Sequence, residues 1–157
     1  LLVFGGIPLP GGAVWINHHA LRSKKIESLV SLAGPVTNLV LGVLLAGIVT
    51  LFSPPAALAA AISYLALLQV IAFVLNILPI PGLDGWGVLE PFMSYKAQQF
   101  GAKARPWAPL ILFAVLIAFA EVNRLFFMLA TSVFELVGGD PSSAGSGVAA
   151  FMFWRYL

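Results

Sequence analysis

Two long apolar runs constrain this chain more than any other feature of its sequence. Residues 27–52 and 57–78 contain one charged side chain between them, Glu27. As a helix, the first run would be about 39 Å long, enough to cross a hydrocarbon core of about 30 Å with tilt. The composition agrees, since 61% of the residues are apolar and 9% are charged, whereas soluble domains average about 25% charged residues. We therefore predict an all-α, polytopic membrane protein whose helical bundle forms one domain over residues 1–157.

The basic residues predict how the two runs are oriented. They cluster at 22–25, before the first run, and at 96–105, after the second. Because basic loops favour the cytoplasmic side of a membrane, residues 17–26 and 95–106 are predicted to be cytoplasmic. The same distribution gives no support for nucleic-acid binding. We expect the lipid bilayer to be the main surrounding of this chain.

The remaining segments give weaker signals. Residues 1–26 are predicted to form a re-entrant or extended loop and a basic hinge, since GGIPLPGG opposes a helix and residues 13–16 favour extended structure. Residues 108–137 form either one long helix or two short ones, because charged residues interrupt the apolar pattern near Glu121. Residues 143–157 suit an interfacial helix that ends in Trp154-Arg155-Tyr156. The missing initiator methionine leads us to expect that the sequence begins within a longer protein.

The stretch NILPIPGLDG, residues 76–85, ends the second apolar run and contains Asp84. Pro79 and Pro81 prevent a continuous helix. Irregular backbone inside a bilayer requires surrounding protein or a water-filled cavity, and a carboxylate at that depth usually faces such a cavity. The residues alone leave two alternatives open. Asp84 lies in a polar cavity near the cytoplasmic side, or the helix ends at Leu78 and Asp84 caps the next helix.

Other polar residues allow a structural or a functional interpretation. Asn38 lies inside the first run, one turn after Pro35, and either forms a packing hydrogen bond or points into the same cavity as Asp84. His18 and His19 are adjacent, so they do not face one point, and we interpret them as surface polar residues. The sequence contains no cysteine, which excludes thiolate metal sites and disulfides.

Two motifs in order, AGPVTN at 33–38 and NILPIPGLDG at 76–85, resemble the site-2 protease family of zinc intramembrane metalloproteases. That family shows G-P-x-x-N and then N-x-x-P-x-P-x-x-D-G on successive membrane segments. The stretch LPGGAVWI before the basic hinge is also similar to bacterial members. The resemblance covers residues 5–95 and implies a bacterial plasma membrane as the location.

The resemblance implies a role for each matching residue. Asp84 corresponds to the third protein ligand of one zinc ion, whose open position would hold a water molecule. The residues implied to line the site are Asn38, Asn76, Gly34, Pro35, Pro79 and Gly85. The segment Gly12 to Ile16 would offer an edge strand to an unwound substrate. The implied activity is cleavage of transmembrane segments of other membrane proteins.

The sequence departs from the family at one important point. It contains no H-E-x-x-H, which in the family supplies two zinc ligands and the general base, so the implied catalytic residues lie upstream of Leu1. The alternative is a family member without catalysis that acts as a membrane scaffold or as a subunit of a larger complex. A transporter is a third possibility, because transporters also contain broken helices, but the matching pair of broken segments is missing.

Overall fold

A computed structural model describes residues 23–152, and within this range the chain is mainly helical. The helices are α1 (Lys24–Phe52), α2 (Ala56–Asn76), α3 (Asp84–Leu89), α4 (Tyr95–Ala104), α5 (Ala108–Ala118), α6 (Ala120–Leu136) and α7 (Pro141–Phe151). A 3-10 turn at Glu90–Phe92 joins α3 to α4. Residues 23–152 contain no β-strand, which confirms the all-α class. The predicted extended segment at 12–16 and the end of the predicted interfacial helix lie outside the described residues.

The two longest helices coincide with the apolar runs. The Ser23 side chain accepts a hydrogen bond from the Ile26 amide and caps α1, which ends at Ser53 in a left-handed conformation with φ of 42°. α1 and α2 are both long and apolar enough to cross a membrane. α4 and α5 are long and apolar enough only when taken together, and they are bent by 65° at the break between them, so the described residues contain two or at most three spans. The chain is an integral membrane protein.

α2 lies at the centre of the bundle, between α1, α6 and α7. Its buried residues Ala66, Val70 and Val74 form the main core with Ala130 and Phe134 of α6, and Ala144 of α7 completes this cluster. A second cluster joins Leu75 to Phe113 and Leu116 of α5. The end of α2, where the motif NILPIPGLDG begins, is therefore fixed by packing on several sides.

Residues 108–137 form two helices that meet at Phe119. The backbone of Phe119 is extended, with φ of −114° and ψ of 102°. The Asn123 side-chain amide donates to the Leu116 carbonyl oxygen at 3.1 Å, which satisfies one of the carbonyl groups freed at the end of α5. Glu121 and Arg124 form an exposed ion pair of 3.7 Å on α6.

Candidate metal centre

The segment between α2 and α3 is an ordered reversal of the chain. The Leu83 amide donates to the Ile80 carbonyl oxygen at 3.0 Å. Pro81 and Gly82 occupy the two central positions of this turn, and Gly82 has φ of +95°, as a type II turn requires. A Cβ added to Gly82 would lie 2.9 Å from the Arg105 carbonyl oxygen. The loop is therefore held against the α4–α5 junction, and its geometry sets where α3 begins.

Asp84 is the first residue of α3, which packs antiparallel to α1. The order of contacts along the two helices shows this direction. A Cβ on Gly34 would lie 3.0 Å from Asp84 Oδ2, and one on Gly87 would lie 2.7 Å from Ser31 Oγ. One turn earlier on α1, the Ser28 hydroxyl donates to the Val88 carbonyl oxygen at 2.8 Å. Small residues on both helices thus allow the close approach that brings the two sequence motifs together.

The Asp84 carboxylate occupies the space that a side chain at position 34 would fill. It is half-buried and forms no hydrogen bond or ion pair with any residue in the range 23–152. Partial burial raises the pKa of this carboxyl, which lies outside the two membrane-spanning helices. A half-buried carboxylate without a protein partner is suited to bind a cation.

Asn38 and Asn76 lie at similar levels on neighbouring helices. α1 and α2 are joined by a short turn, and Gly42 lies against Val70, where a Cβ would be 3.0 Å from the valine Cγ2. In the direction of α3, Asn38 lies one turn beyond Gly42 on α1, and Val74 lies one turn beyond Val70 on α2. Asn38 is therefore level with Val74, and Asn76 lies about half a turn from that level. Both asparagines are half-buried, and neither side chain has a hydrogen-bond partner within the described part of the chain. Two free amides therefore accompany the free carboxylate at this end of the bundle.

The other residues implied to line the site differ in position. Gly85 is buried, and a Cβ there would collide with the Ile77 carbonyl oxygen, so only glycine fits beside the end of α2. Pro35 is fully buried inside α1, next to Gly34. Pro79 is exposed in the loop. The sequence motifs did not identify Ser28, Ser31 and Gly87, which pack α3 onto α1. The spacing of small residues in both segments is the sequence feature that could have identified these three residues.

Two of the surface hollows formed by residues 23–152 do not include Asp84. One, of about 570 Å³, lies along α6 and is lined by Asn123, Arg124, Phe127, Met128, Thr131, Ser132 and Glu135. The other, of about 420 Å³, lies between the start of α1 and α4. The predicted polar cavity around Asp84 thus corresponds to neither of these hollows.

The side chains around Asp84 provide few ligands for zinc. In residues 23–152, no three His, Cys, Asp or Glu side chains come together. The part of the chain that the structure describes supplies one suitable oxygen donor, Asp84, in a cradle that a Cβ would fill. A catalytic zinc site needs three protein ligands. Asp84 thus fits the role of a single ligand, and the other ligands must come from outside the described residues. His18 and His19 lie outside this range.

Comparison with known proteins shows two closely similar relatives. A protein of Mycolicibacterium smegmatis named "Putative zinc metalloprotease Rip2" is 43% identical over 156 residues, which is 98% of this chain and 60% of the relative. A protein of the same name from Mycobacterium tuberculosis is 39% identical over 155 residues, or 98% of this chain and 59% of the relative. No family model matches the chain, and no solved structure does.

The chain is a homologue of these proteins. The relationship covers both motifs, since it extends over nearly all 157 residues, and it confirms the resemblance to the site-2 protease family. The chain spans about 60% of the length of the relatives. The contact between Gly34 and Asp84 is thus a contact between the two motifs on which the resemblance rests.

Proposed function

We propose that this protein is an intramembrane zinc endopeptidase that cleaves transmembrane segments of other membrane proteins. The main support is the position of Asp84, whose free carboxylate lies over Gly34, so that the two motifs form one site. The names of the relatives support zinc and proteolysis as the chemistry. The proposal includes a bacterial plasma membrane, with residues 17–26 and 95–106 on the cytoplasmic side.

Each residue near Asp84 has a proposed task. Asp84 would hold zinc through a carboxylate oxygen, and Gly34 leaves the space that this carboxylate occupies. Gly85 allows α3 to begin against the end of α2, because a Cβ there would collide with the Ile77 carbonyl oxygen. When bound, zinc would activate a water molecule and polarise the scissile carbonyl group. The amide groups of Asn38 and Asn76 have no hydrogen-bond partner among residues 23–152, and they would bind the backbone of an unwound substrate. The remaining ligands and the general base would come from an H-E-x-x-H segment outside this sequence.

The decisive experiment replaces Asp84 in the complete protein and measures both cleavage and zinc content. Asp84→Ala should abolish cleavage of a reconstituted substrate with one transmembrane segment, and it should lower bound zinc well below one ion per protein. Glu121→Gln is the matched control, since Glu121 is an exposed acidic residue whose ion pair is confined to α6. Cleavage by the Asp84→Ala variant at the rate of the unmodified protein would disprove the role of Asp84.

A second candidate function is a membrane scaffold without catalysis. One observation favours it, namely that no three potential zinc ligands come together within residues 23–152. Zinc measured in the purified complete protein separates the two functions. A value near one ion per protein supports the protease, whereas an absence of bound zinc together with an unchanged fold supports the scaffold.

A further inference from the structure

Four exposed lysines surround one end of the bundle. Lys24 and Lys25 begin α1, and Lys96 and Lys103 lie on α4. None of the four forms an ion pair within residues 23–152. We refer to Lys24, Lys25, Lys96 and Lys103 together as the basic surface.

The hollow of about 420 Å³ connects the start of α1 with α4. Its lining includes Lys24 from α1 together with Gln99 and Ala102 from α4. Lys96 and Lys103 lie three residues before and four residues after Gln99, so they share its face of the helix. Lys24 therefore lies beside the lysine-bearing face of α4.

The carboxylates nearby do not neutralise the basic surface. Glu27 and Glu90 both line the hollow. Glu90 accepts a hydrogen bond from Arg105 at 2.9 Å, so its charge is already balanced by a cation outside the basic surface. Even if Glu27 is counted against one lysine, this end of the bundle retains an excess of positive charge.

Exposed aromatic side chains lie in the same region. Phe92, Tyr95, Phe100 and Trp107 are between 59% and 74% exposed. Aromatic rings with polar neighbours are typical of the membrane–water interface. α4 is bent by 65° relative to α5, and its charged and aromatic side chains suit a helix that lies at the membrane surface.

We propose that the basic surface binds the headgroups of anionic phospholipids. The lysine ammonium groups would donate hydrogen bonds to the lipid phosphates, and the aromatic rings around α4 would contact the upper acyl chains. Such attraction contributes about 1 kcal/mol for each basic side chain near an anionic membrane surface. The bilayer borders this end of the bundle, since α1 begins here and α2 returns to the same side.

The test compares two lipids with the same acyl chains, phosphatidylglycerol and phosphatidylcholine. The purified full chain is titrated with each lipid in a non-ionic detergent, and native mass spectrometry counts the bound molecules. We expect tighter binding of phosphatidylglycerol. The double variant Lys96→Gln, Lys103→Gln should raise its apparent Kd by about fivefold for each lysine, whereas binding of phosphatidylcholine should not change.

Two control variants separate charge from folding. Lys96→Arg with Lys103→Arg keeps both charges and should retain the preference for phosphatidylglycerol. Arg124→Gln removes an exposed cation from α6 and should leave that preference unchanged. Equal affinity of the unmodified protein for the two lipids would overturn the proposal. The proposal would also be overturned if Arg124→Gln lowered the affinity for phosphatidylglycerol as much as the double lysine variant does. Displacement of phosphatidylglycerol by millimolar inorganic phosphate would show a site for free phosphate and not for a lipid.

Discussion

At the scale of single residues, the absence of a side chain at Gly34 determines where the candidate ligand Asp84 lies. Position 34 is a glycine, and this lets the Asp84 carboxylate lie where it does. Even a Cβ at position 34 would lie 3.0 Å from Asp84 Oδ2. Contacts this short force one partner to move by a few tenths of an ångström. The glycine of AGPVTN therefore acts by making room, and the buried Pro35 beside it holds α1 against its neighbours.

Gly34→Ala should reduce cleavage by the complete protein about tenfold, since displacements well under 1 Å already misplace reacting groups. The helix itself should be stabilised slightly, because alanine favours helices over glycine by about 1 kcal/mol. Gly47→Ala in the same helix is the control, as a Cβ there meets no atom within 4 Å. Cleavage rates measured with a reconstituted substrate, alongside thermal unfolding, check this expectation. Equal rates for the two variants would show that the position of Asp84 tolerates the added methyl group.

At the scale of elements, α6 has three distinct faces. One face, with Ala130 and Phe134, is buried against α2. A second face exposes Val122, Leu125, Leu129 and Leu136. The third face, opposite α2, carries Glu121, Arg124, Ser132 and Glu135, all of them exposed. Because α6 packs along a membrane-spanning helix, its apolar exposed face is suited to lipid, whereas its polar face is suited to water or protein.

Single cysteines distinguish the two exposed faces of α6, since these 157 residues contain no other cysteine. The thiol of Ser132→Cys, on the polar face, should react severalfold faster with a membrane-impermeant maleimide than the thiol of Leu129→Cys. Charged reagents do not enter the lipid tails that the apolar face contacts. Labelling rates in reconstituted membranes, measured by the mass shift of the protein, provide the comparison. Faster labelling at position 129 would show that the faces are assigned the wrong way round.

At the scale of the whole molecule, α2 organises the bundle because three other helices pack around it. α7 approaches it most closely at Gly147, where a Cβ would collide with the Ala60 carbonyl oxygen. Tyr64 and Phe151 add a ring contact with centroids 5.6 Å apart. The Asp140 side chain caps α7 by accepting from the amides of Ser142 and Ser143. The last described helix is thus docked, and it closes the side of α2 away from α1.

Gly147→Ala should lower the stability of the bundle by about 1–3 kcal/mol, since an added methyl group forces α7 away from α2. Gly145→Ala lies two residues earlier in the same helix, where a Cβ meets no atom within 4 Å. It should be neutral or stabilising by up to about 1 kcal/mol through helix propensity. Thermal unfolding in detergent, followed by circular dichroism, measures both changes. Destabilisation of the same size by both variants would contradict the close packing of α7 on α2.

The sequence alone determined the helical class, the two long spans and the break in the helix at Pro79 and Pro81. These properties are local, because apolar length fixes a membrane helix and proline removes backbone donors at a defined position. It also identified Asp84 as the polar residue of interest and supplied the motif resemblance that the relatives confirm. It left open whether residues 108–137 form one helix or two, and the structure shows the break at the extended residue Phe119.

Only the tertiary structure decided which residues meet. Gly34 and Asp84 are fifty positions apart, and their contact depends on the direction of α3, which the Ser28 to Val88 hydrogen bond and the Ser31 to Gly87 contact set. No pattern within either segment encodes that register, because it arises from the fit of two surfaces. The NILPIPGLDG stretch thus proved to be a fixed turn that starts a helix and, by the same geometry, places a free carboxylate against the first motif.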